Sequence, residues 1–291
     1  MIPGSEATAC QRPAAPDPAP APRLRGHLHL EARARPDGRT ILARQSFRAP
    51  FHISKPHWNG HTLHVQVINP TAGILSGDSL EMRVHATDRA ALSVTTPAVT
   101  RAFTMLDGTA RSSQSLHVAA GAFLDFYPEP LCPHRDTSFL QKTTIHCARG
   151  AQLVFLDALA PGRAGRGELW AWRRLQLALD VHLDGRPVLV ERLDAAGGKL
   201  AAAARFFQTP SAWLASLIAV SPRISSIDTL AAAITSLHGD GIRLGLTALD
   251  PDLLAIRLAA RDGQTLRDTV AAIRQHLASA IPHLRADLRK L

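Results

Sequence analysis

The most constraining feature of this 291-residue sequence is an alternation of apolar and polar residues between Leu175 and Leu193. Apolar side chains stand at every second position from Leu175 to Leu183, and a second apolar stretch follows. Because successive side chains of a strand point to opposite faces, this pattern predicts two strands of a half-buried sheet. Asp184 and Gly185 lie between them and tolerate the positive φ of a tight turn. We therefore predict a β-hairpin.

The same period of two recurs nearer the N-terminus, in the apolar sets Leu63, Val65, Val67 and Leu80, Met82, Val84. Three short turns, at Arg89, Gly121 and Gly150, each follow one strand and open another, and they are 32 and 29 residues apart. Repeats of this length are typical of stacked β units that bury their apolar faces against one another. The alternative is a coincidence of three turns.

Two helices are predicted near the C-terminus. The first would begin after Ser225 or Ser226 and end at Gly239, with an apolar side formed by Ile227, Leu230, Ile234 and Leu237. The second would begin at Asp262 and end before Pro282, with an apolar side formed by Leu266, Val270, Ile273 and Leu277. The segments 242–249 and 253–258 between them are predicted strands.

Composition divides the chain into three predicted parts. Residues 11–22 are mostly proline and alanine, so residues 1–22 are predicted to form a disordered tail. Residues 23–207 are predicted to form a β-rich scaffold domain, and residues 208–291 a C-terminal α+β subdomain packed on it. The predicted fold class is mainly β, with β-superhelix-like stacked strands and a small C-terminal portion that contains about two helices.

Charge, hydropathy and cysteine content disfavour several classes of protein. No apolar run reaches the ~18 residues that cross a bilayer, so no membrane association is expected. Three cysteines, at positions 10, 132 and 147, do not suffice for a disulfide framework, and a reducing cytoplasm is the expected location. The net charge is +9, but the arginines are scattered, which disfavours a nucleic-acid groove. An acidic protein partner stays compatible with this charge.

The sequence contains residues that can bind metals, but they are not spaced as a complete metal site. His57, His61 and His64 have helical spacing, yet an intervening Asn-Gly pair breaks such a helix, so we predict solvent-exposed loop histidines. Cys132 and His134 are weak candidates for a transient metal contact. The motifs G-x-x-x-x-G-K-[ST], G-x-S-x-G and H-E-x-x-H are missing from the sequence, which disfavours the corresponding enzymes.

Three carboxylates stand next to or within apolar strands. Asp78 follows a glycine at the start of a strand, Asp157 ends an apolar strand, and Glu191 lies within VLVERL. Such groups cost free energy unless they are paired or hydrated, so ion pairing and a functional role both stay open. A carbohydrate-active hydrolase could pair Asp157 with Glu191 or Glu168 at a separation of about 5–10 Å. An aromatic content of 5% leaves little surface for stacking on sugars.

Several of these segments resemble those of the UreD (also UreH) family of urease accessory proteins. The similar segments, in family order, are TAGILSGD, TTPAVTRAFT, FYPEP, FLDALAPGRAGRGE and VLVERL. Order and spacing agree over residues 24–195, and the C-terminal part agrees only in pattern. The sequence departs from the family at Ala72-Gly73, where Gly-Gly is usual, and at a C-terminal ending without tryptophan.

The resemblance implies a β-superhelical fold and a non-catalytic role in urease maturation. It implies a complex with UreF-like and UreG-like accessory proteins docked on apo-urease, with a homodimer within the complex. It further implies an internal water-filled passage for nickel, which would be bound only transiently, with no tightly bound cofactor. The positions that match the passage lining are Asp78, Thr100, Asp157 and Glu191, and Glu168 is an additional candidate. Oxygen ligands of this kind hold a divalent ion weakly enough to release it.

Overall fold

The computed structural model describes residues 24–87, 89–224 and 227–285. The predicted tail (1–22) and the predicted helix cap at Ser225 or Ser226 lie outside these residues. Within them the strands, in chain order, are β1 Arg25–Ala34, β2 Thr40–Arg48, β3 His52–Ile53, β4 His57–Asn59, β5 Thr62–Ile68, β6 Ser79–Ala86, β7 Ala91–Thr95, β8 Thr100–Ala102, β9 Ala110–Val118, β10 Phe123–Tyr127, β11 Leu131–Pro133, β12 Ser138–Cys147, β13 Gln152–Leu159, β14 Gly162–Arg163, β15 Glu168–Leu169, β16 Arg174–Leu183, β17 Arg186–Ala195, β18 Trp213–Val220, β19 Ile242–Asp250 and β20 Leu253–Ala260. The α-helices are α1 Gly197–Leu200, α2 Ile227–Thr235 and α3 Gly263–Leu277, and 3-10 turns cover Ala164–Arg166, Ala201–Phe207 and Pro282–Arg285.

Two large sheets face each other. The first, sheet A, has the order β17-β16-β12-β9-β6-β1-β2, and its five inner strands are parallel. The second, sheet B, has the order β19-β20-β18-β13-β10-β7-β5-β3 and is parallel from β5 to β13. Strands that alternate between two parallel stacks form a β-solenoid, so the predicted mainly β, stacked fold is confirmed.

The predicted repeat is confirmed by the register of the stack. In sheet B, Phe123 pairs with Ala91 and with Gln152, which reproduces the separations of 32 and 29 residues. The turns themselves stack as well, since the Gly121 amide donates to the Gly150 carbonyl at 3.0 Å. Both glycines have positive φ (72° and 81°), as has Arg89 (60°). A left-handed residue at each turn keeps successive coils superimposable.

The core lies between the sheets, because the predicted alternation puts apolar side chains on the inner faces. Sheet A contributes the row Val84, Leu116, Ile145 and Val181, and sheet B contributes Leu92, Leu124 and Leu153, all 0% exposed. Each such side chain stabilises the fold by about 1.5–3 kcal/mol relative to full exposure. The predicted hairpin is β16–β17, and its turn residues Asp184 and Gly185 have φ of 50° and 75°.

The C-terminal segment extends sheet B rather than forming a layer of its own. Strands β18, β20 and β19 add antiparallel to β13, and α2 and α3 pack against their outer face. Both predicted helices are present, although α2 ends at Thr235, before the predicted end at Gly239. Helix α3 buries Leu266, Val270, Ile273 and Leu277, and its N-cap Asp262 accepts the Thr265 amide at 2.7 Å. The helical turns at 197–207 had no periodic signal in the sequence. None of the described helices has both the length and the apolar character needed to cross a membrane.

Candidate functional site

Asp157 lies where two cavities meet. Leu153, Phe155 and Asp157 of β13 point to the same face by the period of two, and the first two belong to the core between the sheets. The Asp157 side chain lines a cavity between the sheets, here called the inner cavity, and also a larger one at the edge of the sandwich, here called the outer cavity. Because it faces internal space on two sides, it is only half-buried.

The inner cavity has a volume of about 110 Å³, which is room for a few water molecules. Its walls are apolar side chains of both sheets, among them Met82 of sheet A and Phe155 of sheet B. Its polar lining is formed by Asn69, Thr95, Thr96, Thr100, Ser112, Gln114, Glu129, Gln141 and Asp157. This lining offers hydroxyl, amide and carboxylate oxygens, which suit water or a hard cation better than an apolar ligand.

The outer cavity has a volume of about 570 Å³ and lies between the β16–β17 hairpin of sheet A and strands β18 to β20 of sheet B. Leucines form much of its wall, namely Leu159, Leu177, Leu179, Leu193, Leu214, Leu244 and Leu258. Its polar lining is formed by Asp157, Glu191, Arg192, Ser216, His238, Arg243 and Arg257. A carboxylate therefore stands at the junction, and a second carboxylate stands within the outer cavity.

A chain of amides connects Asp157 to the interior. The Gln141 side-chain amide donates to an Asp157 carboxylate oxygen at 3.5 Å, and the Gln114 amide donates to the Gln141 oxygen at 3.4 Å. The Thr143 hydroxyl donates to the Gln114 oxygen at 3.2 Å. The distances are long, so these hydrogen bonds are weak.

The surroundings of Asp157 make its carboxyl a weaker acid than usual. Burial, together with the neighbouring charge of Glu191, raises its pKa from 3.8 to about 6. Desolvation penalises the charged form, and a second carboxylate adds repulsion. The group therefore changes its charge close to neutral pH.

Glu191 joins the two sheets at the wall of the outer cavity. One of its oxygens accepts from Arg257 Nε at 2.6 Å and from the same guanidinium through Nη2. Glu191 stands in β17 of sheet A and Arg257 in β20 of sheet B, so the pair crosses between the sheets. The adjacent Arg192 instead pairs with Asp180 at 2.6 Å.

The other two positions matched to the passage lie apart from this junction. Thr100 lines the inner cavity, and its amide donates to the Pro130 carbonyl at 3.0 Å. Asp78 is 1% exposed and lines neither cavity. Its carboxylate accepts the amides of Leu75 at 2.8 Å and Leu24 at 3.3 Å, so it closes the turn that precedes β6.

The remaining candidates from the sequence have local partners. Glu168 accepts two hydrogen bonds from Arg163, at 2.6 and 2.8 Å, which with the Arg135 amide hold its pKa below the usual value. Cys132 is half-buried, and burial raises the pKa of its thiol, which disfavours the metal-binding thiolate. His134 is 3% exposed and packs edge-on to Phe103. Among residues 24–87, 89–224 and 227–285, no three His, Cys, Asp or Glu side chains converge as metal ligands.

The prediction of exposed loop histidines in HWNGHTLH is wrong for two of the three. His64 lies in β5 and is 3% exposed, and His57 lies in β4 and stacks on it at 5.0 Å. Only His61, in the turn between these strands, is exposed. The Asn-Gly pair breaks a helix as expected, but it does so by making a tight β-turn that places His57 opposite His64.

Comparison with known proteins identifies the family. The family model described as "UreD urease accessory protein" matches residues 24–290. The urease accessory protein UreD of Opitutus terrae is 45% identical over 268 residues, which cover 91% of this chain and 98% of the relative. The chain belongs to the UreD family of urease accessory proteins. The UreD 2 protein of Streptomyces griseus is 29% identical over 87% of this chain and 89% of its own length. UreH of Helicobacter acinonychis is 27% identical over 55% of this chain and 62% of its own length.

Membership in the UreD family makes this chain a non-catalytic urease maturation factor, so the alternative of a carbohydrate-active hydrolase is set aside. The geometry agrees with this, because Glu191 is held by Arg257 and Glu168 by Arg163. The match also runs through the C-terminal strands and helices, well beyond the 24–195 range over which the sequence motifs agree.

Sequence reasoning missed the amides that line the inner cavity. Gln114 and Gln141 stand at positions where strands β9 and β12 face sheet B, and both lie in polar stretches that show little apolar alternation. The alternation of the neighbouring strand could have indicated them. Strands β9 and β12 stack in register on the apolar strand β6, so a polar residue on their inner face departs from the expected apolar-polar alternation.

Proposed function

We propose that this chain is a scaffold that passes nickel to apo-urease, in a complex with UreF-like and UreG-like accessory proteins in the cytoplasm. The observation that carries the proposal is the position of Asp157, which lines both the inner and the outer cavity. In this proposal an ion that moves from one cavity to the other passes this carboxylate. As the family resemblance implies, the complex would contain a homodimer of the chain.

The chemistry of the lining supports transfer rather than storage. Hydroxyl, amide and carboxylate oxygens bind Ni²⁺ less tightly than imidazole or thiolate, so an ion could leave as readily as it arrives. With a pKa of about 6, Asp157 is mostly ionised at neutral pH and attracts a cation, and protons compete with the cation for this carboxylate as the pH falls toward 6. Thr100 supplies a hydroxyl at the inner cavity on the same path.

In this proposal the ion pair between Glu191 and Arg257 controls whether a second carboxylate of the outer cavity is available to a cation. The guanidinium neutralises Glu191 and would repel a cation while the pair is closed. An arriving ion competes with Arg257 for Glu191, so opening of this pair would expose a second carboxylate close to Asp157. In this proposal Asp78 and Glu168 act indirectly, by holding the turn before β6 and the loop between β14 and β15.

The test is urease activation in cells that express the urease operon with variants of this chain. Asp157→Ala/Glu191→Ala is expected to reduce the nickel content of purified urease while co-purification of the accessory proteins and urease is unchanged. Asp194→Ala is the matched control, because this carboxylate is also in β17 but faces solvent and pairs with Arg174. Normal activation by the double variant would refute the passage, and loss of co-purification would point to a docking role instead.

A further inference from the structure

Four histidines form a continuous stack on sheet A. His85, His117, His146 and His182 lie on β6, β9, β12 and β16, and each is in register with the next. Their ring centroids are 4.5, 4.7 and 4.8 Å apart in that order. We call these four residues the histidine ladder.

The ladder lies on the outer face of sheet A, away from both cavities. Each histidine follows a buried residue of the inner face, in the triplets VHA, LHV, IHC and VHL. The four rings are half-buried, so their edges reach solvent. At one end the row continues with Glu31 of β1, which is in register with His85. A carboxylate thus borders the ladder.

The two central rings of the ladder, His117 and His146, lie in surroundings that favour their neutral form. Burial lowers the pKa of His117 to about 4, with repulsion from His85 and His146 in the same direction, and burial and His182 lower that of His146. Ser115 Oγ lies 2.9 Å from Nε2 of His117. When Nε2–H donates to this hydroxyl, the Nδ1 lone pair of the ring remains free for another partner.

We propose that the histidine ladder binds divalent transition metal ions, nickel included, each ion being held between two neighbouring imidazoles with water completing its coordination. Neutral imidazole is a good ligand for this class of ion, and an unbroken row gives three such neighbouring pairs. The proposal concerns the outer surface of the solenoid and does not rest on transfer through the cavities.

The geometry also sets the strength of such a site. Two metal–nitrogen bonds of about 2.1 Å at a right angle place the two nitrogens about 3.0 Å apart, so neighbouring stacked rings must rotate their nitrogen edges toward each other to share an ion. Within the described part of the chain no third ligand of the His, Cys, Asp or Glu type joins such a pair. Binding is therefore weaker than at a closed three- or four-ligand site, and ions exchange readily and can move from one pair to the next.

The experiment tests whether nickel affinity depends on adjacent pairs of ladder histidines or only on the number of histidines. Equilibrium dialysis of the full chain against nickel chloride at pH 7.5 would compare variants that each remove two histidines. His117→Gln/His146→Gln leaves no two adjacent rings, and His85→Gln/His182→Gln leaves the central pair intact. We expect at least a tenfold loss of affinity in the first variant and retained affinity, with fewer ions bound, in the second.

Two further variants complete the design. His52→Gln/His61→Gln removes two exposed histidines outside the ladder and is expected to bind nickel as the wild type does. If circular dichroism shows that His117→Gln/His146→Gln is unfolded, His85→Gln/His146→Gln also leaves no adjacent rings and replaces it. Equal losses in the variants with and without an adjacent pair, or no nickel binding by the wild type, would overturn the proposal.

Discussion

Arg274 of α3 binds Asp125 of β10 through two hydrogen bonds of 2.7 and 2.8 Å, across 149 positions of sequence. Both side chains are almost fully buried, at 8% and 2% exposure. Ser93 donates a third bond to the carboxylate at 3.1 Å, and the guanidinium lies 4.2 Å from the ring centre of Tyr127. The pair fixes the C-terminal helix on the solenoid.

Removal of one partner of this pair is expected to be costly. Arg274→Met leaves a buried carboxylate without its counter-charge, so the free energy of unfolding should fall by about 3–5 kcal/mol. Urea unfolding followed by circular dichroism measures the change. Asp125→Leu/Arg274→Met removes both charges and should recover most of the loss, so a double variant as unstable as the single one would contradict this account.

Asp157 is expected to make the protein less stable above pH 6. Because its pKa in the folded chain is about 6 and the ordinary value is 3.8, the folded state holds the proton more tightly, and stability falls as the pH rises through this window. The effect is at most about 3 kcal/mol and smaller for a half-buried group. Asp157→Asn should raise the melting temperature at pH 7.5 and leave it unchanged at pH 4. A lower melting temperature at pH 7.5 would contradict the raised pKa.

The charge of Glu191 is expected to contribute less to this pKa than burial does. Glu191→Gln should therefore lower the titration midpoint of Asp157, but not to the ordinary value of a free carboxyl. Carbon-detected NMR of the aspartate carboxyls across pH 3–8 would measure it, with Asp194→Asn as the control. If Glu191→Gln left the titration midpoint of Asp157 unchanged, the two carboxylates would have no measurable electrostatic interaction.

The histidine ladder is expected to act on stability in the opposite direction to Asp157. The pKa of His117 is lowered from 6.5 to about 4 in the folded chain. Between these two pH values the unfolded chain binds a proton at this residue and the folded chain does not, so stability is lost as the pH falls through this window. The charged groups of the neighbouring strands on this face include Glu31, Glu81, Arg83, Arg111, Lys142 and Asp180. His117→Gln should flatten the dependence of melting temperature on pH between 4 and 6.5. An unchanged slope would refute the lowered pKa.

Two glycines of one loop provide a test of close packing. A Cβ at Gly162, whose φ is 116°, would lie 2.2 Å from the Glu168 carbonyl oxygen, whereas a Cβ at Gly167, whose φ is 66°, would meet nothing within 4 Å. Gly167→Ala is expected to cost about 1 kcal/mol from backbone strain alone. Gly162→Ala must also separate β14 from β15 and should be clearly less stable in the same urea titration.

Local patterns predicted most of the secondary structure. The alternation from Leu175 to Leu183 and the Asp184-Gly185 turn were sufficient for the hairpin, and the apolar side from Leu266 to Leu277 was sufficient for α3. These features depend on neighbours within one element, where side-chain period and turn geometry act directly.

The sites depend on register between distant segments, which no local pattern contains. Glu191 meets Arg257 across 66 positions, and the ladder rings are brought together by coils of 29 to 36 residues. Asp78 shows what a local motif does convey: the Gly-Asp motif marks a turn, and its aspartate accepts two backbone amides there.

Both margins of sheet A end in an antiparallel strand, β2 beside β1 and β17 beside β16. Neither margin offers the parallel partner that a further coil would need, so the stack is terminated on both sides and its height is fixed. At about 4.8 Å per strand, the five parallel strands measure about 19 Å from first to last. The number of coils therefore sets the distance between the first and the last parallel strand. Turns between coils can grow or shrink without changing this distance, and only the gain or loss of an entire coil would alter it.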